Sequence, residues 1–440
     1  MSNETLRQEL VELDKKYFIH PTSSLQDQQA NGPAIIFDKA EGVHCYDING
    51  KKYLEGMSSL WNVNIGYGRK ELAEVAKEQL EKCAYSNSFS GFSNEPAIRL
   101  AAKIAEMTPG DLNGVFFTSG GSESNDSAYK LVRHYWKVKG KPEKTKIVAR
   151  KRAYHGVASG STSATGIESF HDFTTSLAPG FIHVDPDSPE AFRQLIKEEG
   201  ADTIAAFLTE PIQGAGGVNF PKEGYLKEIR QICDENDILF IADEVICGFG
   251  RTGKMFAVEH YDIVPDVLLL AKGISSGYVQ LGAVVLREKL HKELIELSSG
   301  VLMHGFTYSG HPTACAVGLK NIEIMENENM VENSQKMGDL LASKLEELQK
   351  ETDIVGEVRH LGLLGAIELV KDQETGERFA EKISTKVVLA ARERGLILRN
   401  VVYWEKDSIV YAPPLCMTEE DVNEFASIFK EAVLEAQKSL

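Results

Sequence analysis

Val115-Phe116-Phe117-Thr118-Ser119-Gly120-Gly121-Ser122-Glu123 passes from an apolar run through a glycine-rich turn into a helical pattern that lasts to Trp136. A strand feeding a helix through such a turn exposes the unpaired backbone N–H groups of the first helical turn. With a hydroxyl beside them, they form an anion site suited to phosphate. Ser122 as an ordinary helix cap accounts for the same residues.

The pattern repeats outward from this stretch. Apolar runs at 147–149, 204–208, 238–242, Val267–Leu270 and 282–286 alternate with helical stretches that include Pro189–Glu199 and Tyr225–Glu235. This alternation, from about Lys70 to Leu319, predicts an α/β fold with a mostly parallel sheet. Before it, Leu6, Leu10 and Leu13 give a short amphipathic pattern. Runs at 34–37, 43–46 and 52–54, the last after an Asn49-Gly50 turn, predict an antiparallel meander. After it comes an α+β segment with runs at 363–370, 396–398 and 408–411 and a final helix over 419–437. The expected division is 1–60 and 326–440 as two parts of a small domain, and 61–325 as the large one.

Open parallel sheets bind ligands at the C-terminal ends of their strands. The residues following the runs are Thr118 to Ser122, Tyr154-His155-Gly156, Thr209-Glu210-Pro211, Asp243-Glu244 and Ala271-Lys272-Gly273. One edge therefore collects a glycine-rich helix start, an aromatic ring, carboxylates and a lysine. At the end of an apolar strand, Lys272 is either desolvated, with a lowered pKa suited to Schiff-base chemistry, or a lysine whose head reaches solvent. Asp243 in the same setting needs a cationic partner or serves a local turn.

The 440 residues are 42% hydrophobic, enough for a large core. Lys+Arg 48 against Asp+Glu 65 gives −17, which disfavours nucleic acid and anionic membranes as partners. Six scattered cysteines contain no Cys-x-x-Cys pair, so reduced, mostly buried thiols are expected. No ligand spacing supports a metal, and His44 and His183 read as core or surface residues. The N-terminus has no basic segment followed by an apolar one, and no run is long enough to span a bilayer. A soluble, cytoplasmic protein is expected.

Seven strings carry a family likeness: Trp61 to Gly68, Thr118 to Glu123, Tyr154 to Gly156, Glu210 to Gly214, Asp243 to Gly253, Ala271 to Tyr278, and His304 to Pro312. In them the chain resembles the class-III pyridoxal-phosphate aminotransferases of fold type I, over nearly its whole length. Within the class it looks most like the ω-amino acid:pyruvate (β-alanine:pyruvate) branch. The resemblance implies pyridoxal 5'-phosphate as cofactor, an amine donor and a keto-acid acceptor (pyruvate), and a homodimer with shared sites. It gives Lys272 the Schiff base and proton movement, Asp243 the pyridinium nitrogen, and Gly120, Gly121 and Ser122 the phosphate. Tyr154 and Val245 would sandwich the ring, with His155 and Glu210 beside it. Thr307 would reach the phosphate from the partner subunit. Trp61 and Tyr154 would line the substrate pocket, and Arg399 would hold the substrate carboxylate. An ion pair at about 3 Å and effective ε near 20 is worth roughly 5 kcal/mol, enough to keep the ring nitrogen protonated through Asp243. Two departures stand out: Ile246 where some relatives have Gln, and Gly120 where many have a serine hydroxyl.

The donor stays open among β-alanine, taurine, a diamine or polyamine, and S-adenosylmethionine, the last in the 8-amino-7-oxononanoate reaction. Gly248 to Gly253 matches a dinucleotide pattern by letters but opens no long helix. Gly273-Ile274-Ser275-Ser276-Gly277 matches a nucleophile elbow, which leaves a serine hydrolase as the rival from another class.

Overall fold

The computed structural model describes residues 3–401 and 405–440. Its central sheet has seven strands in the order Leu112–Thr118, Gly282–Arg287, Val267–Leu270, Leu239–Asp243, Ile204–Thr209, Lys146–Arg150, Phe181–Val184. From Val267–Leu270 to Phe181–Val184 every pairing is parallel. Gly282–Arg287 runs antiparallel to both neighbours, so the sheet is mostly parallel, as expected.

Successive side chains leave opposite faces of a strand. Phe240, Leu268 and Leu270 accordingly join one hydrophobic core, and Ile241 and Leu269 join the other. Burial on both faces explains why these strands read as continuous apolar runs. The helices have local signals: Ser188 caps Pro189–Glu199 by accepting a bond from Ala191 N, with proline in the first turn.

Two four-stranded sheets complete the fold. Phe37–Glu41, His44–Asp47 and Lys52–Glu55 form an antiparallel meander, which Leu396–Ile397 joins parallel to Lys52–Glu55. Gly56 permits the close approach, since a Cβ there would stand 2.5 Å from Ile397 O. Past Leu398 the chain changes sheets: Arg399–Val401 pairs with Asp407–Tyr411, beside Leu364–Leu369 and Val355–Leu361.

Some expectations need correction. The first strand is Phe37–Glu41, not 34–37, because a two-residue turn at Gly42-Val43 sets Glu41 opposite His44 and Phe37 opposite Asp47. Phe181–Val184 and Val355–Leu361 are strands that no apolar run announced. Among the described residues no helix is long and apolar enough to cross a membrane. All six cysteines are unpaired; Cys45, Cys233, Cys247 and Cys315 are buried.

Candidate active site

A cavity of about 490 Å³ opens at the C-terminal ends of the parallel strands. Its wall includes Trp61, Gly121, Ser122, Tyr154, His155, Glu210, Asp243, Val245, Lys272 and Arg399, which are the expected site residues except Gly120 and Thr307.

Asp243 ends its strand 3% exposed, with both oxygens engaged. Oδ2 accepts bonds from Asn125 Nδ2 at 2.9 Å and from His155 Nδ1 at 2.8 Å, and Oδ1 accepts from Val245 N at 3.1 Å. An ionised carboxylate only accepts, so Nδ1 is the protonated nitrogen of His155. Its buried Nε2 has no partner among the described residues.

Lys272 lies two residues beyond the neighbouring strand Val267–Leu270, in a left-handed conformation (φ +50°). It is half-buried against the cavity. Burial pulls its pKa down to about 8; Asp243 and Glu210 pull it back up, and Arg399 lowers it further. Parallel pairing sets Asp243 opposite Leu269, which brings the lysine and the carboxylate to one rim.

The helix Gly121–Val138 starts at the cavity with Gly120 as its extended cap and no side-chain capping bond. Its first-turn N–H groups are therefore available. Ser122 is not the cap; its Oγ accepts from Val157 N at 3.1 Å and keeps a proton to donate. Gly121 packs on the other wall, where a Cβ would stand 2.9 Å from Val245 Cγ1.

Glu210 is buried, and its two oxygens take Tyr154 N (3.0 Å) and Gly214 N (2.9 Å). Burial raises its pKa to about 7. It thus fixes the loop that presents Tyr154, whose ring lies 5.3 Å from that of Phe170. Trp61 and Arg399 arrive together because the parallel pair Lys52–Glu55 and Leu396–Ile397 feeds both: one chain turns into Trp61, the other into Arg399.

Gly120 stands just behind the wall as the helix cap. Thr307 is exposed and outside the cavity; its carbonyl accepts from Tyr85 Oη at 2.7 Å. Pro21, Thr22, Leu60, Phe170 and Ala215 also line the cavity, with no local sequence signal to mark them. Asn125 lines it too, and its spacing of four from Gly121 is the signal that puts a polar side chain on the cavity face of the helix. Ile246 does line the cavity, as an apolar wall.

The hydrolase reading fails on geometry: Ser275 Oγ is buried and donates to Val279 O at 2.6 Å. Gly248 to Gly253 forms turns rather than a helix start. His44 sits with Asp421 and Glu424 at the surface, a grouping the sequence spacing hid. Glu424 there faces Lys52, and Asp421 caps the last helix through Thr418.

The class-III aminotransferase family matches residues 25–433. The chain belongs to the class-III aminotransferases. It is 38% identical over 443 residues to a putrescine–pyruvate aminotransferase of Pseudomonas aeruginosa, covering 96% of this chain and 95% of that one. A transaminase structure from the marine bacterium Virgibacillus superposes with TM-score 0.97 at 52% identity, covering 98% and 99% of the two chains. The ω-transaminase of Pseudomonas jessenii, solved with PMP, superposes with TM-score 0.93 at 37% identity and 98% coverage of both. This class-III aminotransferase uses pyridoxal 5'-phosphate to move an amino group from an amine donor to a keto acid. The cavity fits that cofactor: an open helix N-terminus for a phosphate, a buried carboxylate for a ring cation, and a lysine of lowered pKa stand around one space.

Proposed function

We propose that this aminotransferase takes its amino group from an ω-amino acid or a simple amine and delivers it to pyruvate in a ping-pong cycle. The observation that carries the reading is one cavity holding Lys272, Asp243 and Arg399. The likeness to a putrescine–pyruvate aminotransferase supports pyruvate and puts diamines among the donors.

Pyridoxal phosphate, when bound, supplies the electron sink for the donor carbon. Lys272 Nζ, with its pKa near 8, would hold the cofactor and serve as the base that moves a proton at the donor carbon. Asp243, oriented through both oxygens, holds the ring nitrogen protonated, with His155 behind it. Gly120, Gly121 and Ser122 bind the phosphate at the helix start. Tyr154 and Val245 would hold the cofactor ring, Glu210 steadies the Tyr154 loop, Trp61 would shape the substrate space, and Arg399 would pair with the substrate carboxylate.

Two copies share each site in this reading, with Thr307 reaching the phosphate of the partner. The loop that carries it supports that: Val301 (81% exposed) and Met303 (87%) are large apolar side chains in need of cover. The two smaller sheets support segments 1–60 and 326–440 as one small domain and 61–325 as the large one. A cytoplasmic location belongs to the same reading.

A panel of β-alanine, taurine, a diamine, S-adenosylmethionine and a simple amine, each with pyruvate, tests it through alanine formed. Alanine from at least one is expected. Alanine from none, with glutamate formed from 2-oxoglutarate, would refute the pyruvate reading.

A further inference from the structure

The wall residue Trp61 stands at the end of a strained turn. Ser58 (φ +46°), Ser59 (φ +59°) and Trp61 (φ +63°) are all left-handed, and none is glycine. Such residues persist only where their surroundings over-determine them. Bonds from Trp61 N to Met57 O (2.9 Å) and from Asn62 N to Ser58 O (3.0 Å) close the turn but do not explain its hand.

Two buried ionisable side chains outside the cavity wall grip it. Glu55, 2% exposed, accepts Met57 N at 2.9 Å through Oε1 and also takes the Ser59 backbone; its Oε2 accepts Tyr67 Oη at 3.3 Å. Arg251 is fully buried. Its Nη2 donates to Ser58 Oγ at 3.0 Å and Asn64 Oδ1 at 2.9 Å, and its Nη1 to Leu363 O at 3.1 Å and Pro413 O at 2.5 Å. All four acceptors are neutral. A buried cation without a carboxylate is a poor source of stability, and its use here is to specify one arrangement. The guanidinium ties the turn to two C-terminal loops at once, which no shorter side chain could do.

We propose that Glu55 and Arg251 are positioning residues that hold the turn Ser58–Trp61 in its left-handed form, so that the indole sets which amine substituents the cavity admits. The inference rests on the reading of Trp61 as a wall of the substrate space. Neither residue touches the reacting atoms; each acts through the turn.

The test uses the holoenzyme with pyruvate and amines graded from propylamine to 1-phenylethylamine. Trp61→Leu reports whether the indole selects by size, and a shift of about tenfold in the ratio of kcat/KM for large over small amines is expected. Glu55→Gln and Arg251→Lys should shift the same ratio in the same direction by about three- to tenfold, chiefly through KM of the amine. Cofactor absorbance and the pyruvate half-reaction should stay within about twofold. Ser58→Ala cuts the Arg251 bond from the other end and replaces Arg251→Lys if that variant does not fold. If Trp61→Leu moves the ratio and the other variants do not, or if they lower every amine alike, the positioning role is overturned. No shift in Trp61→Leu itself overturns the reading of the wall, and the inference with it.

Discussion

His155 Nδ1 lies 2.8 Å from Asp243 Oδ2, and both side chains are shut off from solvent. Asn125 approaches the same oxygen at 2.9 Å, itself held by Tyr129 Oη at 2.8 Å. The carboxylate is thus aimed before any ligand arrives, and a preorganised charge loses nothing to reorientation during reaction.

Asp243→Asn should leave the fold intact and lower kcat by about 100- to 1000-fold, or ~3–4 kcal/mol, because an amide cannot supply the negative charge. Steady-state rates beside a thermal melt decide it. Near-normal turnover would remove Asp243 from the ring-nitrogen role.

In protein stripped of cofactor, Lys272 should be the lysine that reacts first with an amine reagent. Its labelling should rise through pH 8, since the folded pKa near 8 frees the amine where exposed lysines, at about 10.4, remain protonated. In the loaded enzyme, borohydride should fix the cofactor on the same residue. Peptide mass spectrometry across pH reads both. A labelling midpoint near 10 would show a solvated amine.

Inactive Lys272→Ala subunits mixed with inactive subunits altered at Thr307 should regain part of the activity under exchange. Each mixed dimer would then contain one intact site. Proven exchange without recovery counts against Thr307 serving the partner.

Arg399→Ala should weaken pyruvate use by about 2–4 kcal/mol, or about 30- to 1000-fold in kcat/KM, since the substrate carboxylate is left without its charged partner. The half-reaction with an amine lacking a carboxylate should suffer far less. Single-turnover spectroscopy of each half, with melting curves, separates this from a structural salt bridge. Equal losses in both halves with a lowered melting point would point to the latter.

The inner strands of the central sheet were legible because they are buried on both faces. Val267–Leu270 reads as an unbroken apolar run, and Pro189–Glu199 carries its own cap and proline. The rim residues Asp243, Lys272, Glu210 and Ser122 were legible for the same reason: a strand end marks where the next side chains gather. Edge strands such as Val355–Leu361 escaped, since half-exposed faces dilute the pattern.

Local sequence therefore determined which segments became strands and helices and which residues stood at their ends. Tertiary structure alone decided what meets across the cavity. Trp61 and Arg399 are far apart in the chain and share a wall only because Leu396–Ile397 pairs with Lys52–Glu55 before the chain changes sheets. Asn125 finds Asp243, and Arg251 finds Ser58, by the same kind of long-range closure. Propensity and capping act over a few residues, whereas these contacts depend on register and packing between segments whose apolar patterns say that they are buried, not against what.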